Sequence, residues 1–488
     1  MTAPLAIADE RTALRGRARS ILRGPSGRLF YEEYEGASIA ALAAREPFPS
    51  PLALRWQRTL ETRARRLKRR GLVLHILLGP DAHSIYRDQL PAAVNLPPAS
   101  LSAQFLARFA GVDNVVFVNP EQALIDARGG IDVCKANDTH WSAYGAFLAY
   151  RQLMAMLPAD PARRALAARD IAFRFRRSFG DMGALVEPEL AIEVPVPTID
   201  GRDIRPAFNH VGAARDSWVR YDCAQGAGRA LVPRDSFATE LAPFLNATFA
   251  RVDWISAPQS LPFEVVDQER PDVLVWETAE RRLPFPPRDH LPFGAYETYA
   301  FDVASEPGRL ALAAQIDRQE GAVVRALENA QQGALADPGN PIHHFWLGQI
   351  LMEAGRHAEA EAAVRTAIGL RDDRPAYWHL LNIILRHLGR PADSLEAAAR
   401  AVALFPDNAL FVSHLGYNLL AAGQLHRAID AMGACRDAVS DSEELCHWLA
   451  RAHLAAGDRA AALAAAADCF LLQPDHPQVH WLLAQIRQ

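Results

Sequence analysis

Two short segments carry side chains that together could perform acyl transfer. One is Lys135-Ala-Asn-Asp138-Thr139-His140-Trp141-Ser142; the other is Leu231-Val232-Pro233-Arg234-Asp235-Ser236-Phe237. A serine hydroxyl is a poor nucleophile at neutral pH and needs an adjacent base, usually histidine. The imidazole must also be held in one tautomer by a carboxylate on the nitrogen that faces away from the serine. Asp138 and His140 stand two residues apart, which in an extended turn points both side chains the same way. Ser236, after a short apolar run, would be displayed at the carboxyl edge of a sheet, where the first amides of the next helix can stabilise an oxyanion. Taken singly, each motif has a plainer reading: Asp-x-His as a loop with a capping aspartate, and Asp235-Ser236 as an ordinary helix N-cap.

The elements around these segments place both at strand ends or helix starts. Leu72–Leu78, Val115–Val118, Ala230–Val232 and Val273–Trp276 read as buried strands. Arg55–Arg69, Ser100–Phe109, Ser142–Met156 and Thr239–Phe249 read as helices between them. Such alternation predicts a mainly parallel sheet with helices on both faces, which binds ligands outside the carboxyl ends of its strands.

The last third of the chain is different. Gly321, Gly355, Gly389, Gly423 and Gly457 recur every 34 residues, the length of a tetratricopeptide helix-turn-helix unit. Leu347-Gly348, Leu415-Gly416 and Leu449-Ala450 fill the same pair of positions in the first helix of each unit. Ala360, Ala428 and Ala462 fill the close-packed position of the second, with Ser394 replacing alanine in one repeat. Pro338, Pro406 and Pro474 close their repeats at one offset, and the segment from Pro477 to Gln488, with Trp481 and Leu483, reads as a capping helix. The stretch Leu283 to Gly308, rich in proline and aromatics, reads as the connector. The expected division is therefore 1–305, an α/β domain, and 306–488, an all-α solenoid, each folding on its own.

Composition excludes some classes. Fifty-two Lys and Arg against 57 Asp and Glu give a net charge of −5, which argues against a general nucleic-acid binder. The basic run Arg63 to Arg70 reads as solvated helix turns. No apolar run reaches the roughly 18 residues of a membrane span. MTAPLAIADER lacks the apolar core of a secretory signal, so a cytoplasmic location is expected. Five cysteines without close-set pairs predict packed, reduced thiols; Cys435 and Cys469 occupy the same position of successive repeats. His75 reads as a core residue inside the first strand, whereas His83, in a loop near that strand's end, could reach the site. A metal site of Asp138, His140 and His83 would lack a fourth ligand, so neither metal nor cofactor is expected.

Lys-x-x-Asp-Thr-His-Trp-Ser-x-x-Gly-Ala resembles the Asp-x-His-Trp block of the alginate O-acetyltransferase (AlgX/AlgJ-like) family, and Arg-Asp-Ser-Phe resembles its nucleophile block. Three further segments are similar in order: Gly27-Arg28-Leu29-Phe30-Tyr31, Gly79-Pro80-Asp81-Ala82-His83-Ser84-Ile85-Tyr86 with Leu90-Pro91, and Gly180-Asp181-Met182-Gly183. The resemblance runs from about Gly27 to Leu283. It implies a three-layer α/β/α SGNH-hydrolase-like domain with Ser236 as nucleophile, His140 as base and Asp138 as its orienter. The serine stands last in this order, whereas ordinary SGNH hydrolases put it first. Arg234 replaces the glycine of many SGNH enzymes, which places a cation at the site mouth or crowds it. The resemblance implies O-acetyl transfer to a carbohydrate acceptor, with the repeats taking a protein partner; its members typically work in the periplasm. An esterase or deacetylase using the same triad, and a non-catalytic interaction protein, are the alternatives.

Overall fold

The computed structural model describes residues 21–34, 37–38, 48–160, 163–186, 191–211, 217–256, 261–287, 305–439, 442–472 and 477–487. The N-terminal segment read for a secretory signal lies outside these residues, as does the connector between 287 and 305. Among the described residues no helix is long and apolar enough to cross a membrane.

The first part opens with two short antiparallel pairs, β1 (Ile21–Arg23) with β2 (Leu29–Tyr31) and β3 (Glu33–Tyr34) with β4 (Ala37–Ser38). Its main sheet joins β5 (Leu74–Gly79), β6 (Val115–Val118), β9 (Ile204–Val211), β10 (Ser217–Cys223), β11 (Arg229–Arg234), β12 (Arg251–Ser256) and β13 (Val273–Ala279). The order is β6-β5-β13-β11-β12-β10-β9. The first five of that order run parallel, and β10 and β9 extend the edge antiparallel. Separately, β7 (Ile171–Ser178) and β8 (Ile192–Ile199) form an antiparallel pair.

Alternation along the parallel strands divides the core in two. Val232, Val273 and Val275 face a cluster with Phe147 and Tyr150 of α5 (Ala143–Met156) and Phe244 of α7 (Ala242–Thr248). Leu231, Leu274 and Trp276 face the other side, with Trp56 and Leu60 of α1 (Ser50–Lys68), Phe105 of α3 (Leu101–Phe109) and Val266 of α8 (Phe263–Glu269). The period of two on strands buried from both sides is what makes them near-continuous apolar runs. Short helices α2 (Ala82–Ile85), α4 (Glu121–Asp126) and α6 (Gly183–Val186) complete this part. All four predicted helices and all four predicted strands are present, with ends shifted by a few residues.

The solenoid pairs α9 (Glu306–Gln319) with α10 (Val323–Ala336), α11 (Pro341–Glu353) with α12 (His357–Leu370), and α13 (Pro375–His387) with α14 (Pro391–Leu404). It continues with α15 (Ala409–Ala421) and α16 (Leu425–Ala438), α17 (Glu443–Ala455) and α18 (Arg459–Leu472), and the cap α19 (Pro477–Arg487). All five periodic glycines have φ between 70° and 81°, the left-handed turn that their position requires. In two repeats a glycine of the first helix lies directly against the second helix: a Cβ on Gly348 would come within 2.4 Å of Val364, and one on Gly416 within 2.4 Å of Met432. The third repeat has Asn382 at that position. There Ser394 Oγ donates to Asn382 Oδ1 at 2.8 Å, and Asn418 Nδ2 donates to the same oxygen at 2.7 Å, so three buried polar groups satisfy one another. All five cysteines are buried and free. In α19, Val479 and Leu482 are buried whereas Trp481 is exposed, so the cap turns a different edge inward than its aromatic suggests.

The basic run of α1 is solvated only in part: Lys68 and Arg69 are exposed, whereas Arg63 and Arg66 are buried. Arg63 is fully buried with its guanidinium 4.2 Å from the Trp276 ring centroid, and Arg66 lies 3.5 Å from that of Phe263. Three guanidinia converge on one carboxylate of the solenoid, Asp407: Arg69 and Arg70 at 3.3 Å and Arg66 at 3.8 Å. Arg58 bonds Asp468 at 2.6 Å and Arg65 donates to the Asp437 carbonyl. Phe405, Phe411 and Ala401 join the core cluster of α1 and α8. Most of the charges read as solvent-facing, Lys68 apart, therefore border an internal interface, in which aromatic rings and aspartates supply the partners that water would otherwise supply to Arg63 and Arg66.

Candidate active site

Strands β5, β11 and β13 end side by side, and the turns at their carboxyl ends build the site. After β11, Asp235 adopts an extended backbone and caps the 3-10 turn Ser236–Thr239. Its Oδ1 accepts from Phe237 N at 2.9 Å and its Oδ2 from Ala279 N, at the end of β13, at 2.8 Å. Arg282 lies 3.3 Å from the same Oδ2. Asp235 is thus an N-cap, as its plainer reading has it, and the cap also fixes Ser236 as the first, exposed residue of the turn. The Phe237 amide is committed to Asp235, so of the helix-start amides expected to bind an oxyanion, this one is not free. The Phe237 ring packs against Gly79, where a Cβ would sit 2.8 Å from it; only glycine lets β5 approach so closely.

The second segment is a loop pinned from every side. Arg28, buried beside β2, donates to Cys134 O at 2.8 Å, and Leu29 N donates to Ala136 O at 2.8 Å. Lys135 Nζ bonds Glu240 at 2.6 Å. Ser142 caps α5 by accepting from Gly145 N at 3.2 Å, and a Cβ on Gly145 would lie 2.1 Å from the Val133 carbonyl. Trp141, fully buried, donates its indole N–H to Phe237 O at 2.8 Å. Each member of the Lys-x-x-Asp-Thr-His-Trp-Ser-x-x-Gly pattern therefore holds this loop or uses it.

The result is a relay of three side chains. His140 Nε2 lies 2.7 Å from Ser236 Oγ, and His140 Nδ1 lies 2.7 Å from Asp138 Oδ1. The imidazole has one ring nitrogen on a hydroxyl and the other on a carboxylate, the arrangement that selects the tautomer able to accept the serine proton. Burial alone would raise the Asp138 carboxyl. The His140 hydrogen bond, the Lys135 charge and the His140 amide outweigh it and hold the group down at about 2, so Asp138 is an anion at neutral pH.

Asp181 completes the loop, a residue that stood in the sequence only as part of Gly180-Asp181-Met182-Gly183. Its amide donates to Asp138 Oδ2 at 3.1 Å, while its own carboxylate accepts from Thr139 N at 2.7 Å and from the Thr139 hydroxyl. Gly180 makes this possible: its φ is 65°, and a Cβ there would lie 2.2 Å from Asn137 O. Asp138, His140 and Asp181 are close enough to share a cation, but both carboxylates already accept donors from the loop, as hydrogen-bond wiring requires.

The two remaining site candidates lie at the margins. Arg234 folds back on the turn, donating to Asp235 O at 3.1 Å and Thr239 Oγ1 at 3.3 Å, and burial lowers its pKa. His83 is not joined to Ser236 or His140; its ring clusters with Asp81 and Glu280, ligand atoms within 4.8 Å of one another. Arg281 pairs with Asp81 there and donates to Thr139 O at 2.9 Å, so this group carries a built-in cation and braces the His140 loop. Burial, with Asp81 nearby, raises Glu280 to about 7; burial and Asp235 push Glu277 well above the usual range. The signal for these residues was visible as a run of charges, Glu277-Thr-Ala-Glu280-Arg281-Arg282, directly after a buried strand.

Beyond the relay, β7 leads away from Gly180. Arg174, Arg176 and Arg177 are exposed on it and form no ion pair among the described residues, and Phe175 and Phe179 are more than half exposed.

Residues 23–197 match the family described as SGNH hydrolase-like domain, acetyltransferase AlgX; the match contains Asp138, His140 and Asp181 and ends before Ser236. Residues 317–384 and 419–486, and with a second description 384–441, match tetratricopeptide repeats. No curated protein matches the chain. Among solved structures, Bacillus cereus PatB1 with a sulfonyl adduct is 14% identical over 54% of this chain and 95% of that one, with a TM-score of 0.44. YrrB, a TPR protein with an unusual peptide-binding site, is 18% identical over 38% of this chain and 99% of that one, with a TM-score of 0.33.

Proposed function

We propose that this chain, an AlgX-type SGNH hydrolase-like domain followed by tetratricopeptide repeats, is an O-acetyltransferase that works through an acetyl-Ser236 intermediate on a carbohydrate acceptor. The observation that carries the reading is the unbroken Asp138–His140–Ser236 relay, with 2.7 Å at each link. In the first half-reaction Ser236 Oγ attacks the acetyl carbonyl of the donor while its proton passes to His140 Nε2. The tetrahedral adduct collapses, and the donor's leaving oxygen takes that proton as its bond to the acetyl carbon breaks. In the second half-reaction a sugar hydroxyl gives its proton to His140 and attacks the acetyl carbon. Ser236 leaves and recovers the proton. Throughout, Asp138 stabilises the imidazolium and Asp181 keeps Asp138 in place.

An extended carbohydrate fits the surroundings. Unpaired guanidinia on β7 can donate to hydroxyl or carboxylate oxygens, and exposed Phe175 and Phe179 can pack on sugar rings. We place the catalytic part in residues 1–305 and a partner-binding solenoid in 306–488. Hydrolysis is the second reading, because Ser236 is exposed and water can reach the acyl-enzyme.

The test is incubation of the full chain with an activated acetyl ester, with and without oligosaccharide, followed by mass spectrometry. An acetyl group trapped on the Ser236 peptide and moved to oligosaccharide supports transfer; release only as acetate supports the esterase. Undiminished turnover by Ser236→Ala would refute both.

A further inference from the structure

The catalytic part contacts the solenoid mainly through the second helices α14, α16 and α18 and the turn at Asp407, with Trp378 of α13 and Phe411 near the start of α15 also packed against it. The first helices lie against one another, α11 on α13 and α15 on α17, with Asn382 and Asn418 bonded between α13 and α15. Their shared face carries residues three positions apart, which is one side of a helix: Ile383 and Arg386, Tyr417 and Leu420, and Trp448, Arg451 and Leu454. Arg386 stands 4.7 Å over the Tyr417 ring, Tyr417 meets Trp448 edge-on at 5.0 Å, and Arg451 stands 4.7 Å from the Trp448 centroid. Neither arginine forms an ion pair among the described residues, although charged partners elsewhere on the solenoid are paired repeatedly.

We propose that this face docks an extended acidic segment of a partner protein, whose carboxylates bind Arg386 and Arg451 while its apolar side chains lie on Ile383, Leu420, Trp448 and Leu454. The proposal rests on reading the solenoid as a partner-binding module and is independent of the acyl chemistry. A guanidinium stacked on a ring keeps its N–H edge free for a forked carboxylate, and because the stack already fixes it, little side-chain entropy is lost on binding. The same stacking argues for a peptide over a glycan: one face of Tyr417 and one of Trp448 are taken by the arginines, which leaves edges and side-chain methyls more than open ring faces. Between the two cations the surface is apolar, which suits alternating acidic and aliphatic side chains.

The experiment uses the full chain and a fluorescein-labelled peptide of alternating Glu and Leu, with a Gln/Leu peptide and an oligouronate as comparisons. Fluorescence anisotropy should show binding of the Glu peptide that weakens with salt, weakens roughly tenfold in Arg386→Gln and in Arg451→Gln, and is lost in the double variant. Arg→Lys variants should fall between. Ester turnover should be unchanged in all of them, which separates failure here from failure of the acyl-transfer reading and verifies the fold. Equal binding of the Gln peptide, wild-type affinity in both Arg→Gln variants, or binding of oligouronate without the Glu peptide would overturn the proposal.

Discussion

Trp141 donates its indole N–H to the carbonyl of Phe237 at 2.8 Å, so the residue after the histidine is tied to the residue after the serine. These neighbours lie in loops 96 positions apart, and the bond fixes the spacing of His140 and Ser236 without involving either reactive atom.

Trp141→Phe keeps the buried ring but leaves the Phe237 carbonyl unsatisfied, which costs roughly 1–3 kcal/mol. A small loss of geometry is costly for catalysis, so kcat should fall by about tenfold or more, and by a larger factor than the rise in KM. Paired kinetics and chemical denaturation check this; a variant with lower stability and unchanged kcat would show the bond to be structural only.

Ser236→Ala, His140→Ala and Asp138→Ala should each lower ester turnover by about a thousandfold or more, and combining them should add little, because the three act as one unit. Asp181→Ala keeps the amide that donates to Asp138 and loses the carboxylate that accepts from Thr139, so it should cost less, act by loosening the Asp138–His140 turn, and have a smaller effect in an Asp138→Ala background. A double-mutant cycle on kcat/KM measures this.

The acid dependence of stability has a named source. Glu280 titrates near 7 when folded, against an ordinary 4.5, so between those values the folded chain binds more protons than the unfolded one. The stabilisation is complete below the unfolded value and is lost as pH rises through the folded one. Glu280→Gln should therefore show a smaller drop in Tm between about pH 5 and 8 than wild type, with Glu277, Glu264 and Asp253, which burial also raises, contributing to the remaining slope. Parallel Tm profiles in the two proteins would remove Glu280 as the cause.

The packed face between α1 and the solenoid predicts coupled unfolding. Phe405→Ala should destabilise by about 3–5 kcal/mol and split one calorimetric transition into two. The chain cut after residue 305 should retain ester turnover but melt at a lower temperature, since Phe263 and Arg66 lose their cover. A cut chain with the full-length Tm would mean that the face adds nothing to stability.

Sequence patterns carried the repeats and the two reactive segments because those signals are local: a 34-residue glycine period, an Asp-x-His, and a serine after an apolar run. What they did not carry depends on distant partners. Strand β12 was hidden by Asp253, a polar residue in the middle of the strand that is buried because Trp218 Nε1 and Arg220 Nε donate to it at 2.8 and 2.7 Å. The pair β7 and β8 was hidden by Pro195 and Pro197 and by the arginines of β7. Asp181 had no visible role because Asp138 and Thr139 lie more than 40 positions away. The basic run of α1 misled for the same reason, as its acceptor Asp407 stands 337 residues beyond Arg70.

The Asn382, Ser394 and Asn418 network bears on how this solenoid can be altered. In an array of equivalent units, any repeat can be duplicated, deleted or shuffled, because each interface has the same apolar lock. Here the third unit is keyed to the fourth by a matched set of donors and acceptors. A transplanted neighbour with glycine or alanine at those places would leave an amide stranded in the core. Recombination among these repeats is therefore restricted at one junction, and that junction adjoins the turn at Asp407 on which the catalytic part rests, so the register between solenoid and enzyme is protected against slippage by a whole unit.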